Sequence, residues 1–308
     1  MITALGGGVG AAKFLSGLSR VMEEEPLRVI VNTGDDITIG GLRISPDVDT
    51  ITYWLSGVVD RDKGWGISGD TFTFLESLER FGIQIWFRIG DKDLATHVFR
   101  THLRNRGFTP SGISSRISAA FGVRNASILP MTDEDVETWI VTDEGEMHFQ
   151  EYLVRRKMIP QVKGVLVKGI ETAKPAPGVI EAIEEARLVI ICPSNPIISI
   201  GPIISVAGIR GALARTPAKV VAISPLVAGI PLKGPADRLM RGLGMEVSST
   251  QVAKLYSDFL DEMVIDEKDS VEAEAINSIG LKTLVVDTIM SNEKKAEKLA
   301  STVLGLFE

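Results

Sequence analysis

Residues 2–13 read ITALGGGVGAAK and decide the fold that this sequence predicts. The apolar residues 2–5 are typical of a short buried strand, and apolar side chains recur at helical spacing after the glycines. A strand, a glycine loop and a helix in this order place backbone N–H groups and a positive helix end at the carboxyl edge of a sheet, where anions bind. The loop fits the dinucleotide pattern G-x-G-x-x-A but is not a P-loop, because Phe14 follows Lys13.

The next predicted strand, residues 29–31, ends at Asn32 and Thr33. Nicotinamide-dependent enzymes carry an acidic residue near the end of this strand, where it holds the ribose hydroxyls. Because Asn32 occupies that position, the sequence predicts a phosphate-binding α/β fold that is not a dehydrogenase.

Four aspartates follow this strand within fifteen residues, and Arg43 is the only basic residue among them. They are Asp35, Asp36, Asp47 and Asp49. Carboxylates this close repel one another unless a cation lies between them, and Mg²⁺ prefers oxygen ligands. The alternative interpretation is a solvated acidic loop with turn-forming aspartates.

Further along the chain, small polar loops follow predicted buried strands at Ser194 and Ser224, as one does at Asn32. The later strands and the closing helix are predicted at residues 165–167, 188–192, 220–223, 264–266, 284–286 and 292–307. Residues 126–154 predict a β-hairpin. In an open parallel sheet the polar loops converge on one crevice. We therefore expect one α/β domain, residues 1–308, with a Rossmann-like, open and mainly parallel sheet.

Residues 50 to about 123 are predicted to form a mostly helical insertion that covers the site. Asp70 is expected to cap one of its helices, Asp93 precedes a second, and Pro110 begins a third. Arg88 lies beside a glycine turn in this insertion. Its sequence environment fits a solvated strand residue and a partner for an anion or carboxylate equally well.

The composition favours a small-molecule ligand in a cytoplasmic protein. The 40 acidic residues outnumber the 33 basic ones, a net charge of −7, which argues against a nucleic-acid-binding surface. We expect no membrane span, because prolines and a glycine interrupt the apolar run at residues 188–209, and no signal peptide is evident. Cys192 is predicted to be buried, and His97 and His102 are not spaced as zinc ligands on one helix face.

A series of motifs extends almost from one end of the chain to the other. They are GGGVG at residues 6–10, NTGDD at 32–36, SPDVDT at 45–50, GDTF at 69–72, GDKDLATH at 90–97, LPMTD at 129–133, PSNP at 193–196, SIGPI at 199–203 and KGP at 233–235. In these motifs the chain resembles the 2-phospho-L-lactate transferase (CofD) family of deazaflavin coenzyme F-420 biosynthesis.

That resemblance implies transfer of a phospholactyl or phosphoenolpyruvyl group from a guanosine diphosphate conjugate to the ribityl hydroxyl of 7,8-didemethyl-8-hydroxy-5-deazariboflavin (Fo), with Mg²⁺ and release of GMP. It also suggests a homodimer. Matching motifs assign Asp49 and Arg88 to Fo binding. They assign the nucleotide to Gly7, Gly8, Gly10, Asn32, Thr33, Ser194 and Asn195. We infer that Asp49 orients or deprotonates the attacking hydroxyl, with the metal between Asp49, Asp35 or Asp36, and the diphosphate. Asp47 remains an alternative metal ligand.

A second family gives the alternative function. The YvcK-like gluconeogenesis factors share the glycine loop and a double-aspartate segment, but they bind a sugar nucleotide and act in regulation. Their acidic segment is usually richer in Gly and Ser, so SPDVDT at residues 45–50 and GDTF at residues 69–72 favour the transferase. The sequence does not distinguish a lactyl donor from an enolpyruvyl donor.

Overall fold

Fourteen strands form the β-structure of the computed structural model, which describes residues 1–22 and 25–306. They are β1 (Ile2–Gly6), β2 (Leu27–Val31), β3 (Ile37–Ile39), β4 (Leu42–Ile44), β5 (Ala126–Pro130), β6 (Glu137–Thr142), β7 (Gly145–His148), β8 (Val162–Lys168), β9 (Leu188–Ile191), β10 (Lys219–Ile223), β11 (Leu226–Val227), β12 (Ile230–Pro231), β13 (Glu262–Asp266) and β14 (Lys282–Val286). Seven of them make one parallel sheet in the order β14-β13-β10-β9-β1-β2-β5. The predicted Rossmann-like, mainly parallel sheet is confirmed.

Helices cover both faces of this sheet. The α-helices of the described residues are α1 (Gly8–Val21), α2 (Pro46–Ser56), α3 (Thr73–Glu79), α4 (Asp91–Asn105), α5 (Pro110–Ala120), α6 (Val179–Glu184), α7 (Gly201–Ser205), α8 (Ile209–Arg215), α9 (Ala236–Gly242), α10 (Ser249–Tyr256), α11 (Ala273–Ser278) and α12 (Glu293–Gly305). Phe14 of α1 and Leu299 of α12 belong to the core on one face, and Ile183 of α6 and Leu213 of α8 to the core on the other. Successive strand residues therefore alternate between two apolar layers.

The strand order reverses direction between β1 and β9. From β1 the chain proceeds to β2 and β5 on one side, whereas β9, β10, β13 and β14 follow on the other side. Loops that leave the carboxyl ends of strands at such a switch point diverge and leave a crevice between them. The loop after β1 begins at Gly7 and the loop after β9 contains Ser194, so the predicted crevice lies between these two segments.

A second, antiparallel sheet consists of β6, β7 and β8. The predicted hairpin is present as β6 and β7, but the proposed bounds were too wide. Residues 126–130 form β5 of the parallel sheet, and residues 151–155 form a π-helical turn. The prediction that residues 165–167 continue the parallel pattern is wrong, because β8 pairs antiparallel with β6. An apolar run indicates a strand but not the direction of its partner.

The segment between β2 and β5 contains a small hairpin, β3 and β4, followed by α2 to α5. The three helices expected in this segment correspond to α3, α4 and α5. A fourth helix, α2, was not predicted, and its first turn carries Asp47 and Asp49. Ser45 precedes this helix and Pro46 is its first residue, which is a common pattern at a helix N terminus.

Two aspartates cap each other's helices in this segment. The sequence predicted that Asp70 caps α3, and this prediction is wrong. The Asp70 carboxylate instead accepts the backbone N–H groups of Lys92 at 2.7 Å and Asp93 at 3.1 Å, in the first turn of α4. In turn, Asp91 at the start of α4 accepts the N–H of Phe74 at 2.9 Å, in the first turn of α3. The two helix N termini are therefore stabilised by the same pair of carboxylates.

The last helix, α12, corresponds to the predicted closing helix, although Phe307 lies outside the described residues. In the described part of the chain no single helix is long and apolar enough to cross a membrane. One bent pair, Pro196–Ser205 and Ile209–Arg215, meets the criteria of length and composition only when its two helices are combined.

Candidate active site

A cavity of about 740 Å³ lies at the carboxyl edge of the sheet, at the switch point. The glycine loop, the start of α2, the loop after β9 and the insertion all contribute to its lining. Its polar and charged lining residues include Lys13, Asp35, Asp47, Asp49, Lys63, Arg88, Asp93, His97, Gln150, Ser194, Asn195 and Lys233. Gly7, Gly8 and Gly10 also line it. The polar loops that were expected to converge therefore meet here.

The glycine loop permits three segments to approach one another closely. A Cβ atom on Gly7 would lie 2.1 Å from Oδ2 of Asp47, and one on Gly10 would lie 2.3 Å from the carbonyl oxygen of Pro193. The Ser194 hydroxyl accepts the N–H of Gly7 at 3.2 Å and lies 3.0 Å from its carbonyl oxygen, to which it donates. A larger side chain at Gly7 or Gly10 would therefore clash with the protein itself, even without a bound ligand.

Two buried carboxylates, Asp35 and Asp47, share one amide donor. The side-chain N–H₂ of Asn32 donates to Asp35 at 3.2 Å and to Asp47 at 2.9 Å. Burial raises the pKa of Asp35 well above its usual value, and the charge of Asp47 raises it further. Burial also raises the pKa of Asp47 to about 6, although its hydrogen bond from Asn32 opposes this shift. The pair would be stabilised by a cation.

The donor set fits Mg²⁺ bound together with a phosphate ligand. Among the residues that the structure describes, no group of three or more His, Cys, Asp or Glu side chains is arranged to hold a metal ion. Mg²⁺ is commonly bound by one or two carboxylates, with phosphate oxygens and water completing its octahedron. Asp35 and Asp47 supply two such carboxylates beside a cavity wide enough for a nucleotide.

Asp49 lies two residues after Asp47 in the first turn of α2, and it contacts Arg100 and His97. One of its oxygens, Oδ1, is bonded to the guanidinium of the buried Arg100. The other, Oδ2, has no hydrogen-bond partner and lies 3.7 Å from Nδ1 of His97. Arg100 in turn lies 3.3 Å from the same imidazole nitrogen. The carboxylate is therefore fixed from one side and leaves one oxygen without a partner.

A second acid lies on the far side of His97. Oδ2 of Asp93 is 3.3 Å from Nε2 of His97, and the Tyr53 hydroxyl donates to Oδ1 of Asp93 at 2.6 Å. Burial raises the pKa of Asp93, but its contacts with His97 and Tyr53 and the charge of Arg100 together outweigh burial, so that the net shift is downward. Burial and the charges of both aspartates raise the pKa of Tyr53 and keep its hydroxyl protonated.

Three of the predicted site residues lie outside the lining of the main cavity. Asn32 lies beneath it and holds the acids in place. Thr33 and Asp36 line a separate small cavity of about 20 Å³. Burial raises the pKa of Asp36 to about 6, although Arg43, 3.5 Å away, and the Ser45 hydroxyl, which donates at 2.7 Å, both lower it.

The remaining predicted residues lie at the main cavity. Oδ1 of Asn195 accepts the backbone N–H groups of Ile197 and Ile198 at 2.9 and 3.3 Å, while its buried Nδ2 has no hydrogen-bond partner. The guanidinium of Arg88 lies over the ring of Phe72, 4.1 Å from its centroid. Arg88 forms no ion pair with a described carboxylate, so its charge remains available to a ligand in the cavity.

Comparison with known proteins identifies the family. Residues 2–304 match the family model described as 2-phospho-L-lactate transferase CofD. The chain belongs to the CofD family. It is 42% identical to the 2-phospho-L-lactate transferase of Methanosarcina mazei over 98% of both chains. It is also 39% identical to the phosphoenolpyruvate transferase of Kitasatospora aureofaciens, over 100% of this chain and 98% of that protein.

The fold of this CofD-family chain also matches solved structures. Two crystal structures of a Bacillus halodurans protein, one described as a member of the upf0052 family, superpose with TM-scores of 0.64 and 0.62. Both are 17% identical in sequence, and each comparison covers 98% of both chains. At this identity the likeness concerns the fold alone.

Sequence reasoning missed several charged residues at the site of this CofD-family chain. Arg100 and His97 were not assigned a role, yet both contact Asp49. The spacing of Asp93, His97 and Arg100 on α4 places them on one helix face, a signal that was present in the sequence. Lys13 and Lys233 also line the cavity, without having been predicted to do so.

Proposed function

We propose that this CofD-family transferase moves a 2-phospholactyl or phosphoenolpyruvyl group from a guanosine diphosphate conjugate to the ribityl hydroxyl of Fo, releasing GMP, in coenzyme F-420 biosynthesis. The observation that carries the proposal is that the glycine loop and Asp49, whose carboxylate is bonded to Arg100, line one and the same cavity. The names of the relatives, 2-phospho-L-lactate transferase and phosphoenolpyruvate transferase, are compatible with either donor.

In the proposed reaction the Fo hydroxyl oxygen attacks the phosphorus that bears the lactyl or enolpyruvyl group. A new P–O bond forms, the P–O bond to the GMP phosphate breaks, and the carboxylate of Asp49 accepts the hydroxyl proton. The bond to Arg100 holds this carboxylate in one orientation, which supports such a role because positioning and electrostatic stabilisation account for most catalysis of phosphoryl transfer. Arg88 would contact Fo from the insertion side of the cavity.

We propose that Mg²⁺ is held by Asp35 and Asp47, because these two carboxylates lie together at the cavity. Of the other acids suggested from the sequence, Asp36 is directed to the small cavity and Asp49 is paired with Arg100. When bound, the ion would neutralise negative charge on the donor diphosphate. Asn32 would keep the two ligands oriented through its shared amide.

The nucleotide would bind across the glycine loop and the loop after β9. The backbone N–H of Gly10, in the first turn of α1, suits a phosphate. The N–H of Gly8 contacts the carboxylate of Asp47 and would bring the nucleotide close to this acid. The unpartnered Nδ2 of Asn195 is a donor without an acceptor inside the protein. Four further residues would hold the nucleotide-binding loops in position: Gly7, Ser194, Asn32 and Thr33. Gly7 and Ser194 are hydrogen-bonded to each other, and Asn32 is hydrogen-bonded to Asp35.

The first test is titration of the purified protein with Fo, followed by Fo fluorescence, with and without GDP and Mg²⁺. We expect saturable binding that the Asp49→Asn variant weakens, and GMP release from the guanosine diphosphate conjugate that this variant slows at least 100-fold. Asp62→Asn, an exposed aspartate of the insertion, is the control. Full turnover by Asp49→Asn would remove the proposed role of Asp49.

The regulatory alternative predicts a different result. A protein of that class would bind a uridine sugar nucleotide tightly and would not bind Fo. None of the relatives reported above is named as a regulator, and no observation on this structure favours the alternative.

We also propose that the protein is a cytoplasmic homodimer. Sedimentation velocity of the purified protein tests its oligomeric state.

A further inference from the structure

Two lysines line the cavity beside the glycine loop without a carboxylate partner. Lys13 is on α1, and its ammonium group donates to the carbonyl oxygen of Met290 at 3.5 Å. Lys233 follows β12, and its ammonium donates to the carbonyl oxygen of Lys63 at 3.0 Å. Neither forms an ion pair with an acidic residue of the described chain. By contrast, Lys63 is paired with Asp60 at 2.6 Å.

The two ammonium groups lie close enough to affect each other. Burial lowers the pKa of Lys233, and the positive charge of Lys13 lowers it further. The packing around Gly64 agrees with this proximity, because a Cβ atom there would lie 2.9 Å from Val9 and 3.0 Å from Nζ of Lys233. Val9 is one helical turn before Lys13, on the same face of α1. Two like charges without a counter-ion at a cavity wall are stabilised by an anion.

We propose that Lys13 and Lys233 form an anion-binding subsite for the donor, which takes a phosphate or carboxylate group of the guanosine diphosphate conjugate. This inference rests on the proposed function and extends it, since the glycine-loop amides and Asn195 were the donors considered above. The subsite belongs to the donor because Lys13 lies on the helix that begins with the glycine loop. The acceptor is assigned to the region of Asp49 and Arg88.

The test measures binding of GDP, the lactyl conjugate and guanosine to Lys13→Met and Lys233→Met by isothermal titration calorimetry. Methionine keeps the length of the side chain and removes the charge. We expect each variant to bind the affected anion about 10- to 100-fold more weakly, as for loss of a charge-assisted hydrogen bond, with no change for guanosine. Lys174→Met, an exposed lysine outside the cavity, should bind as the wild type does.

The pattern of losses identifies the chemical group that the subsite binds. Equal losses for GDP and the conjugate assign a phosphate, whereas a loss for the conjugate alone assigns its carboxylate. Wild-type affinity of both variants for GDP and for the conjugate overturns the proposal. Circular dichroism melting of each variant establishes that it is folded at the titration temperature.

Pyrophosphate separates this inference from the proposed function. If the wild type binds pyrophosphate but no guanine nucleotide, and the lysine variants lose that binding, the anion subsite stands and the proposed function fails. If the wild type and both variants bind pyrophosphate equally, the assignment of a phosphate to the subsite is overturned. The subsite then stands only if the variants bind the lactyl conjugate more weakly than the wild type does.

Discussion

We expect the burial of Asp47 next to Asp35 to make the stability of the protein depend on pH, and on Mg²⁺ through the proposed metal site. The pKa of Asp47 rises from 3.8 to about 6 on folding. Between about pH 4 and 6 the folded protein therefore keeps a proton that the unfolded chain has lost, and raising the pH through this window destabilises the fold. Above the window the contribution of Asp47 is unfavourable by about 3 kcal/mol unless a cation is bound.

We therefore expect Asp47→Asn to be more stable than the wild type at pH 8 without Mg²⁺, and to lose this advantage at pH 4. Urea unfolding at the two pH values measures the difference. Adding Mg²⁺ with GDP at pH 8 should raise the unfolding midpoint of the wild type more than that of the variant. Asp62→Asn, which changes an exposed carboxylate, is the control; a destabilised Asp47→Asn at pH 8 would contradict the argument.

The pair formed by Asp49 and Arg100 is a second residue-scale feature with a measurable contribution. Both side chains are buried, and removing one partner leaves the other charge without compensation. We expect Arg100→Met to lower the free energy of unfolding by about 3–5 kcal/mol. The double variant with Asp49→Asn should lose less than the sum of the two single changes.

Arg104→Met is the matched control for this prediction. Arg104 is on the same helix, one turn further on, but its partner Asp135 is largely exposed. An exposed ion pair contributes about 0–1 kcal/mol, so this variant should be nearly as stable as the wild type. Equal losses for the Arg100 and Arg104 variants in urea unfolding would show that burial of the pair has no effect.

At the scale of elements, Gly17 sets the distance between α1 and α12. A Cβ atom on Gly17 would lie 2.6 Å from the backbone carbonyl carbon of Ala296, which cannot move without the helix. We expect Gly17→Ala to destabilise the fold, because overpacking of about 1–3 kcal/mol exceeds the helix propensity of about 1 kcal/mol that alanine adds. The glycine loop is at the start of α1, so KM for the donor should rise as well.

Gly305→Ala separates packing from helix propensity in this test. Gly305 is also helical, but a Cβ atom there would meet no other atom of the described residues within 4 Å. The Gly305→Ala variant should be as stable as the wild type or slightly more stable. Thermal unfolding and donor KM for both variants make the comparison, and a Gly17→Ala protein as stable as Gly305→Ala would mean that the two helices separate at little cost.

Local sequence signals predicted most of the central sheet. Short apolar runs that end in glycine or small polar residues, such as residues 2–5 and 188–192, gave the strands and their carboxyl ends. The parallel order then brought Gly7 and Ser194 together, as expected. These predictions succeeded because strand periodicity, loop composition and the handedness of parallel connections are local or general properties.

Predictions failed where the partner was distant in sequence. Asp70 precedes one helix and caps another, because Asp91 is folded against it. Asp49 and Arg100 are 51 residues apart, so no spacing rule connects them. The antiparallel partner of β8 was equally hidden, since an apolar strand fits either direction. Tertiary contacts determine these features.

At the scale of the whole molecule, we propose that one cavity binds both substrates. Glycine-loop, acidic and insertion residues all line the same space. The only cysteine, Cys192, is buried, and burial raises the pKa of its thiol, so it is a poor nucleophile. Direct transfer between two bound substrates therefore agrees better with the geometry than a covalent enzyme intermediate.

We expect initial-velocity plots against Fo at several fixed concentrations of the guanosine diphosphate conjugate to give intersecting lines. Such lines indicate that both substrates are bound before GMP leaves. Parallel lines, or release of GMP without Fo in an amount equal to the enzyme, would instead indicate a covalent intermediate. Cys192→Ala is a useful check, because its turnover should remain within about twofold of the wild type.

The N termini of α3 and α4 are stabilised by Asp91 and Asp70, respectively, and this arrangement has a consequence for the dynamics of the insertion. No side chain of α3 is buried, so its stability depends largely on the carboxylate of Asp91. We expect opening of one N terminus to displace both Asp70 and Asp91 from their N–H partners, so that the other N terminus opens with it. Amide hydrogens of the first turns of both helices should therefore exchange with solvent at one common rate, faster than those of the central sheet, and Fo should slow both together.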